Sequence, residues 1–146
     1  MQTYIFKTQL LSEKSIQRDI EVPADMKLYN LAEAITRAYD FDFDHTFGFF
    51  SKVTAGWDGL AESTRYELCA DTASEEARGA KSVMKTTVQK VWKKPKDRML
   101  FLFDYGDEWR WIVTLVAFGE MISGTHYPRI LSTKGKAPKQ YSEGGE

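Results

Sequence analysis

The chain has a single cysteine, Cys69, among its 146 residues, so it cannot form an internal disulfide. It has no run of the roughly 18 apolar residues that a membrane helix needs, because its longest apolar run, residues 112–118, is broken by Thr114. The N-terminus lacks the charged-then-apolar pattern of an export signal. These absences predict a cytoplasmic location and no membrane contact.

Histidine is also scarce, since His45 and His126 are the only two. Together with Cys69 they are too few for a structural zinc site, which takes thiolate and imidazole ligands. No glycine-rich run precedes a lysine and a helix, and no Gly-x-Ser-x-Gly elbow occurs. The sequence therefore argues against nucleotide hydrolysis and against acyl transfer of the serine-hydrolase type.

The composition is that of one folded domain, because 42% of the residues are hydrophobic and 28% are charged. The net charge of −1 hides an asymmetry: residues 1–80 carry a net −6 and residues 81–146 a net +5. The stretch from position 81 to 98 contains one acidic residue, Asp97, and seven basic residues: Lys81, Lys85, Lys90, Lys93, Lys94, Lys96 and Arg98. They could contact nucleic-acid phosphates, although a solvated surface is the simpler interpretation.

Apolar periodicity predicts the secondary structure of the first half of the chain. Strands at residues 3–11 and 16–22 alternate apolar and polar positions and form a hairpin around a polar turn. Helical spacing of Leu28, Leu31 and Ile35 then predicts the main helix, residues 28–39. Two further strands are predicted at residues 47–50 and 65–69.

In the second half, residues 70–80 have the composition of a loop or a frayed helix. Thr87 can cap a short helix that continues to Trp92. Strands at residues 99–103 and 109–118 form the clearest hairpin, and Gly106 followed by Asp107 predicts a tight primed turn between them.

The predicted order is ββα, then ββ, a short helix and a last ββ hairpin. This order predicts an α+β domain, residues 1–120, with a mixed or antiparallel sheet and one main helix packed across it. Residues 121–146 are rich in glycine and proline and are predicted to be an irregular tail, ordered only where Tyr127 or Tyr141 docks.

Two acidic clusters are candidate sites. One contains Asp40, Asp42, Asp44 and His45, and the other contains Asp104, Asp107 and Glu108. Carboxylates from two loops could hold Mg²⁺ or Ca²⁺, and a water on such an ion could attack an ester or phosphodiester. The spacing matches no defined metal motif, and aspartates that stabilise turns are the simpler interpretation.

Trp109 and Trp111 fall on one face of the last predicted strand. If exposed, the pair would form a stacking surface for bases or sugars. If buried, it is part of the core under the main helix, and at least one of the two is expected inside. Cys69 lies in an apolar strand pattern and is interpreted as a core residue.

The hairpin string Phe103-Asp104-Tyr105-Gly106-Asp107-Glu108-Trp109 resembles the hallmark of the plasmid pRiA4b ORF-3-like family. That family carries an aromatic, Asp, aromatic, Gly, Asp, acidic, Trp string within paired strands. Other motifs match in the same order, over residues 6–145: Ile20-Glu21-Val22-Pro23 ahead of Leu28 and Leu31, His45 with Phe49, Tyr127-Pro128-Arg129, and Gly144-Gly145.

The chain departs from the family pattern at four positions. Trp111 and Ile130 stand where the family usually has His and Cys, Ala137 replaces a second Cys, and Glu143 alone remains of an acidic pair. If those family positions bind a metal, the resemblance implies that this chain has lost the capacity. The resemblance further implies a β-grasp or ubiquitin-like fold and an association with plasmids or mobile elements, but no reaction.

The sequence as a whole predicts a cytoplasmic binding or interaction module with no cofactor and an unidentified protein or small-molecule partner. Its contacts are expected at Asp42, Asp44, His45, Asp104, Tyr105, Asp107, Glu108, Trp109 and Trp111. One alternative is a metal-dependent hydrolase of phosphodiesters or esters, with Asp44, His45, Asp104, Asp107 and Glu108 in one cleft. A second is a nucleic-acid-contacting accessory protein that uses the basic residues between Lys81 and Arg98.

Overall fold

The computed structural model describes residues 1–71 and 79–141. Its centre is one eight-stranded mixed sheet, in the order β5-β4-β3-β6-β7-β1-β2-β8. The strands are β1 (Gln2–Leu10), β2 (Gln17–Pro23), β3 (Phe47–Phe50), β4 (Arg65–Glu67), β5 (Lys81–Ser82), β6 (Arg98–Phe103), β7 (Trp109–Glu120) and β8 (Arg129–Lys134). The helices are α1 (Leu28–Ala38), α2 (Val88–Val91) and a 3-10 turn, Leu68–Asp71. None of the described helices is long and apolar enough to cross a membrane.

Most predicted elements are confirmed. β1 and β2 pair as an antiparallel hairpin, and β6 and β7 pair in the same way. The main helix ends one residue earlier than expected, at Ala38, and the short helix α2 follows Thr87. The chain is therefore an α+β protein dominated by its sheet, whose described strand pairs are antiparallel except β4 with β5.

The fourth predicted strand is shorter than expected. β4 ends at Glu67, and the chain then turns through Leu68–Asp71, so Cys69 lies half-buried in a 3-10 turn instead of a strand. Most of the loop predicted at residues 70–80 lies outside the described residues.

The β6–β7 turn is not the predicted two-residue primed turn. Phe103 pairs directly with Trp109, which leaves a five-residue loop. Positive φ angles occur at Asp104 (66°) and Glu108 (57°) rather than at Gly106. The side chain of Asp104 explains the difference, because its Oδ1 accepts the backbone N–H groups of Gly106 (3.1 Å) and Asp107 (3.2 Å).

The segment predicted as an irregular tail contains strand β8. It pairs antiparallel with β2, with Arg129 opposite Glu21 and Lys134 opposite Gln17. The sequence pattern missed it because glycines and prolines flank a short strand whose register is shifted near Ile20.

Helix α1 packs across one face of the sheet and closes the main core. Leu28, Leu31 and Ile35 of the helix meet Trp111 and Val113 of β7 in a single buried cluster. A smaller cluster on the opposite face consists of Phe50, Leu60, Leu100 and Leu102. The expected contact between the main helix and the tryptophan-bearing hairpin is confirmed.

Tyr39, directly after α1, joins the helix to three strands. Its hydroxyl donates to the Thr8 carbonyl oxygen (3.0 Å) and lies 2.9 Å from Thr8 Oγ1. Its ring lies between the Arg18 guanidinium, 4.8 Å from the ring centre, and Trp111, with ring centres 5.3 Å apart. This residue fixes where α1 ends and where the following loop begins.

We expect Tyr39→Phe to lower the free energy of unfolding by about 1–2 kcal/mol, because it removes a buried hydroxyl that is hydrogen-bonded to Thr8. Urea unfolding followed by tryptophan fluorescence measures the change. Tyr29→Phe is the matched control, since Tyr29 of α1 uses its ring against Phe43 and Phe47. An equal loss in both variants would contradict the role assigned to the Tyr39 hydroxyl.

Candidate functional site

The two predicted acidic loops meet at one end of the sheet. Backbone pairing brings them together, because the Asp104 N–H donates to the Thr46 carbonyl oxygen (2.8 Å) just beyond the paired β3 and β6. The hairpin tip and the loop after α1 are therefore held side by side by the strand register.

His45 lies between carboxylates from both loops. Its Nε2 is 3.4 Å from Asp44 Oδ1 and 3.4 Å from Asp104 Oδ2. The Asp104 side chain is only 9% exposed, whereas His45 is 37% and Asp44 47% exposed. We call Asp44, His45 and Asp104 the acidic site. It is open to solvent on the Asp44 side and buried at Asp104.

The C-terminal segment is docked onto the acidic site by two side chains. The Tyr141 hydroxyl donates to Asp44 Oδ2 (2.9 Å) and lies 2.7 Å from His45 Nε2. The Gln140 side-chain amide accepts a hydrogen bond from the Asp42 N–H (2.7 Å) and donates one to the Asp42 carbonyl oxygen (3.0 Å). It thus pairs with both backbone groups of Asp42, as a residue of a neighbouring strand does. The expectation that Tyr141 docks is met, but the sequence carried no signal for Gln140.

Two side chains of the hairpin tip, Tyr105 and Glu108, lie on the face of the sheet opposite helix α1. The Tyr105 hydroxyl donates to Glu67 Oε1 (2.5 Å), and Glu67 is also bonded to Arg65. Burial of the phenol, with the bond to Glu67 and its negative charge, raises the pKa of Tyr105. Trp57 packs edge-on against Tyr105, with ring centres 5.5 Å apart.

Glu108 also lies on that opposite face. It is paired with Arg110 (2.9 Å), whose guanidinium also donates to the carbonyl oxygens of Thr54 (2.9 Å) and Gly56 (3.0 Å). The hydrogen bond from Arg110 lowers the pKa of Glu108. Arg110 holds the segment after β3 in place, and Glu108 is engaged by Arg110 rather than by the acidic site.

The two tryptophans of the motif belong to the main core. Trp111 is fully buried and Trp109 half-buried, and Phe41 packs against both, with ring centres 5.7 and 4.8 Å away. Trp111 therefore has no exposed face on which a base or sugar could stack. The nine predicted site residues thus separate into the acidic site with neighbouring Asp42, the opposite-face residues Tyr105 and Glu108, the core tryptophans, and exposed Asp107.

No group of three or more His, Cys, Asp or Glu side chains in the described residues is arranged to hold a metal ion. The acidic site brings two carboxylates and one imidazole together, but Tyr141 takes both Asp44 and His45 as partners. The arrangement presents hydrogen-bond acceptors, and the Tyr141 hydroxyl already donates to one of them.

Comparison with known proteins places the chain in a family. The family model described as plasmid pRiA4b ORF-3-like protein matches residues 2–145. The chain belongs to this family. The family description names no activity, and no sequence among curated proteins matches the chain.

A solved structure shows the same fold. The crystal structure of a protein of unknown function from Methanosarcina mazei Go1 superposes with a TM-score of 0.73. It is 20% identical, and the match covers 94% of this chain and 71% of the other. At this identity the likeness establishes the fold and carries no function with it.

Five of the seven basic residues between positions 81 and 98 lie at the other end of the sheet, where β6 begins. Lys90, Lys93, Lys94, Lys96 and Arg98 are all exposed there. Asp97 accepts the backbone N–H groups of Lys93 (2.8 Å) and Lys94 (3.1 Å), and these bonds lower the pKa of Asp97. The long axis of β6 thus separates a basic end from the acidic site.

We expect Gly48→Ala to lower the free energy of unfolding by about 1–3 kcal/mol. A Cβ at Gly48 would lie 2.8 Å from Glu67 Cγ and 2.8 Å from the Tyr105 hydroxyl, which cannot both move without breaking their bond. Gly56→Ala is the control, because a Cβ there meets nothing within 4 Å. Chemical unfolding of both variants tests this; equal stabilities would refute the packing assigned to Tyr105.

We expect Tyr141 to titrate well above an ordinary tyrosine. Desolvation, the hydrogen bond to Asp44 and the charges of Asp44, Asp104 and Asp42 raise the pKa of Tyr141 from 10.0 to about 12. Because the folded chain favours the neutral phenol, docking of Tyr141 is intact below pH 10 and is lost as the pH rises toward 12.

An NMR titration of the labelled Tyr141 ring measures this pKa. Asp44→Asn should move the titration back toward 10, whereas Asp58→Asn, an exposed aspartate outside the acidic site, should leave it unchanged. Titration of the unaltered chain at 10 would contradict the docking.

Proposed function

We propose that the chain is a binding module whose partner contacts centre on the hairpin tip and the loop that bears Asp42, Asp44 and His45. The observation that carries the proposal is the position of His45 Nε2, 3.4 Å from both Asp44 and Asp104. Two loops contribute one site there, and the pairing of β3 with β6 preorganises it.

The partner group that fits the acidic site is a cation with several N–H donors. Asp42 adds a third negative charge near Asp44 and Asp104, because all three carboxylates act on the Tyr141 phenol. A guanidinium group donates to two carboxylates at once in a planar geometry. An arginine side chain of a protein partner is therefore the ligand that we assign to this site.

A metal-dependent hydrolase is the second candidate, and one observation favours it: carboxylates from the two acidic loops converge on the same histidine. Catalysis by a metal ion would need more ligands than binding a partner does. Glu108 cannot be one of them, because Arg110 engages it on the opposite face. Turnover of a phosphodiester or an ester with Mg²⁺ or Mn²⁺, abolished by Asp104→Asn, would replace the binding module with this alternative.

We expect penta-arginine to bind the chain and penta-glutamate not to bind. Isothermal titration calorimetry at about 50 and 200 mM salt should show affinity that falls with salt, because both partners of the contact are charged and partly exposed. Asp104→Asn should weaken binding roughly tenfold, since it removes the most buried carboxylate of the site.

The control variant is Asp58→Asn, which makes the same chemical change at an exposed position away from His45. Its affinity for penta-arginine should equal that of the unaltered chain. If both variants bind equally well, or if penta-glutamate binds as tightly as penta-arginine, the assignment of the acidic site is wrong.

The β-grasp arrangement, the association with mobile elements, the cytoplasmic location and the contact with nucleic acid remain predictions. The β1–β2–α1 order supports the β-grasp arrangement, and family membership supports an association with mobile elements. The cytoplasmic location rests on the sequence. Contact of the basic residues with nucleic acid is supported by their exposure, and it requires retention on DNA that decreases steeply with salt.

A further inference from the structure

Strand β8 forms one edge of the sheet. It pairs with β2 on one side, and the described residues contribute no strand on its other side. In a strand paired on one side only, alternate backbone N–H and C=O groups point away from the partner and remain available to another chain. β8 therefore presents a backbone template for an added strand.

A groove of about 700 Å³ runs between β8 and helix α1. Ile20 and Ile130 lie opposite each other on its floor, yet Ile20 is 1% exposed and Ile130 is 51% exposed, because α1 covers β2 and stops short of β8. Ala34 and Ala38 of α1 line the helix wall, together with Glu33 and Arg37, which form an ion pair with each other. The groove thus offers apolar surface directly beside the strand edge.

The two faces of β8 differ in chemistry. Residues paired across two strands share a face, so Ile130, opposite Ile20, lies on the α1 face. Arg129, opposite Glu21, and Lys134, opposite Gln17, lie on the other face. Glu21 engages Arg129 at 2.8 Å, whereas Lys134 is exposed.

The positive charge of the β8 edge indicates which kind of strand can pair with it. Residues 129–136 contain Arg129, Lys134 and Lys136 and no carboxylate. Glu21 of β2 pairs with Arg129, so the lysines supply the positive charge of the edge. A second copy of β8 would bring the same cations together, an arrangement by which edge strands resist self-pairing. A strand with carboxylates complements the edge instead.

We propose that β8 and the adjoining groove bind an extended acidic segment of a partner protein by strand addition. The segment forms main-chain hydrogen bonds with the open edge of β8. Its alternate apolar side chains enter the groove beside Ile130, and the acidic side chains between them face the exposed Lys134. This surface is separate from the acidic site and has the opposite charge preference.

The test uses the full chain and a fluorescent decapeptide of alternating valine and glutamate. Fluorescence anisotropy should show binding, and hydrogen exchange should slow at residues 129–134 and not at residues 104–108. A valine–lysine decapeptide should bind at least roughly tenfold more weakly, because its charges oppose those of the edge. A valine–glutamate peptide N-methylated at alternate residues should also bind at least roughly tenfold more weakly, because it lacks the backbone donors.

Matched variants locate the contact. Lys134→Glu should weaken binding roughly tenfold, whereas Lys85→Glu, at an exposed position outside the groove, should not change it. Ile130→Thr should weaken binding, and Val116→Thr, at an exposed position on β7, should not. Circular dichroism and thermal melts establish that all four variants are folded.

Three results would overturn the proposal. Equal affinity for the N-methylated peptide would show attraction by charge without strand addition. Equal affinity for the valine–lysine peptide would remove the acidic preference. A dimer in light scattering that dissociates in Ile130→Thr would assign the edge to a second copy. None of these results depends on penta-arginine, so this proposal and the proposed function fail separately.

Discussion

The contact of Tyr39 with β1, β2 and β7 is the constraint on which the rest of the structure depends. It places the end of α1 over Thr8, Arg18 and Trp111, and the loop that carries His45 begins there. The helix covers the strands through apolar packing, which is strong but has no direction. A buried hydroxyl with fixed partners supplies the direction, and it sets where the loop meets the hairpin tip.

The five-residue loop between β6 and β7, with positive φ at Asp104 and Glu108, lets one short motif send side chains to both faces of the sheet. Asp104 contacts His45, whereas Tyr105 crosses to Glu67 and Glu108 to Arg110. Gly48 permits this arrangement, because any larger residue there would meet Glu67 and Tyr105. The conformation of the hairpin tip is therefore held from both sides, which keeps Asp104 in place without a ligand.

Charges of opposite sign lie in separate regions of the sheet. A chain with a net charge of −1 carries carboxylates at the hairpin tip, lysines where β6 begins and cations along β8. Each region is separated from the others by strand length or by the width of the sheet. Fields of opposite sign at separate surfaces favour different partners, so the near-neutral total says little about what the chain binds.

The local pattern of the sequence by itself determined the α+β class, the two hairpins, helix α1 and the family. These depend on apolar periodicity and on a motif of adjacent residues, both of which are readable along the chain. Only the tertiary structure decided that Asp44 and Asp104 meet at His45, that Glu108 turns away, and that residues 129–134 complete the sheet. Such contacts join residues far apart in sequence, and they are fixed by strand register and by side-chain partners that no local pattern encodes.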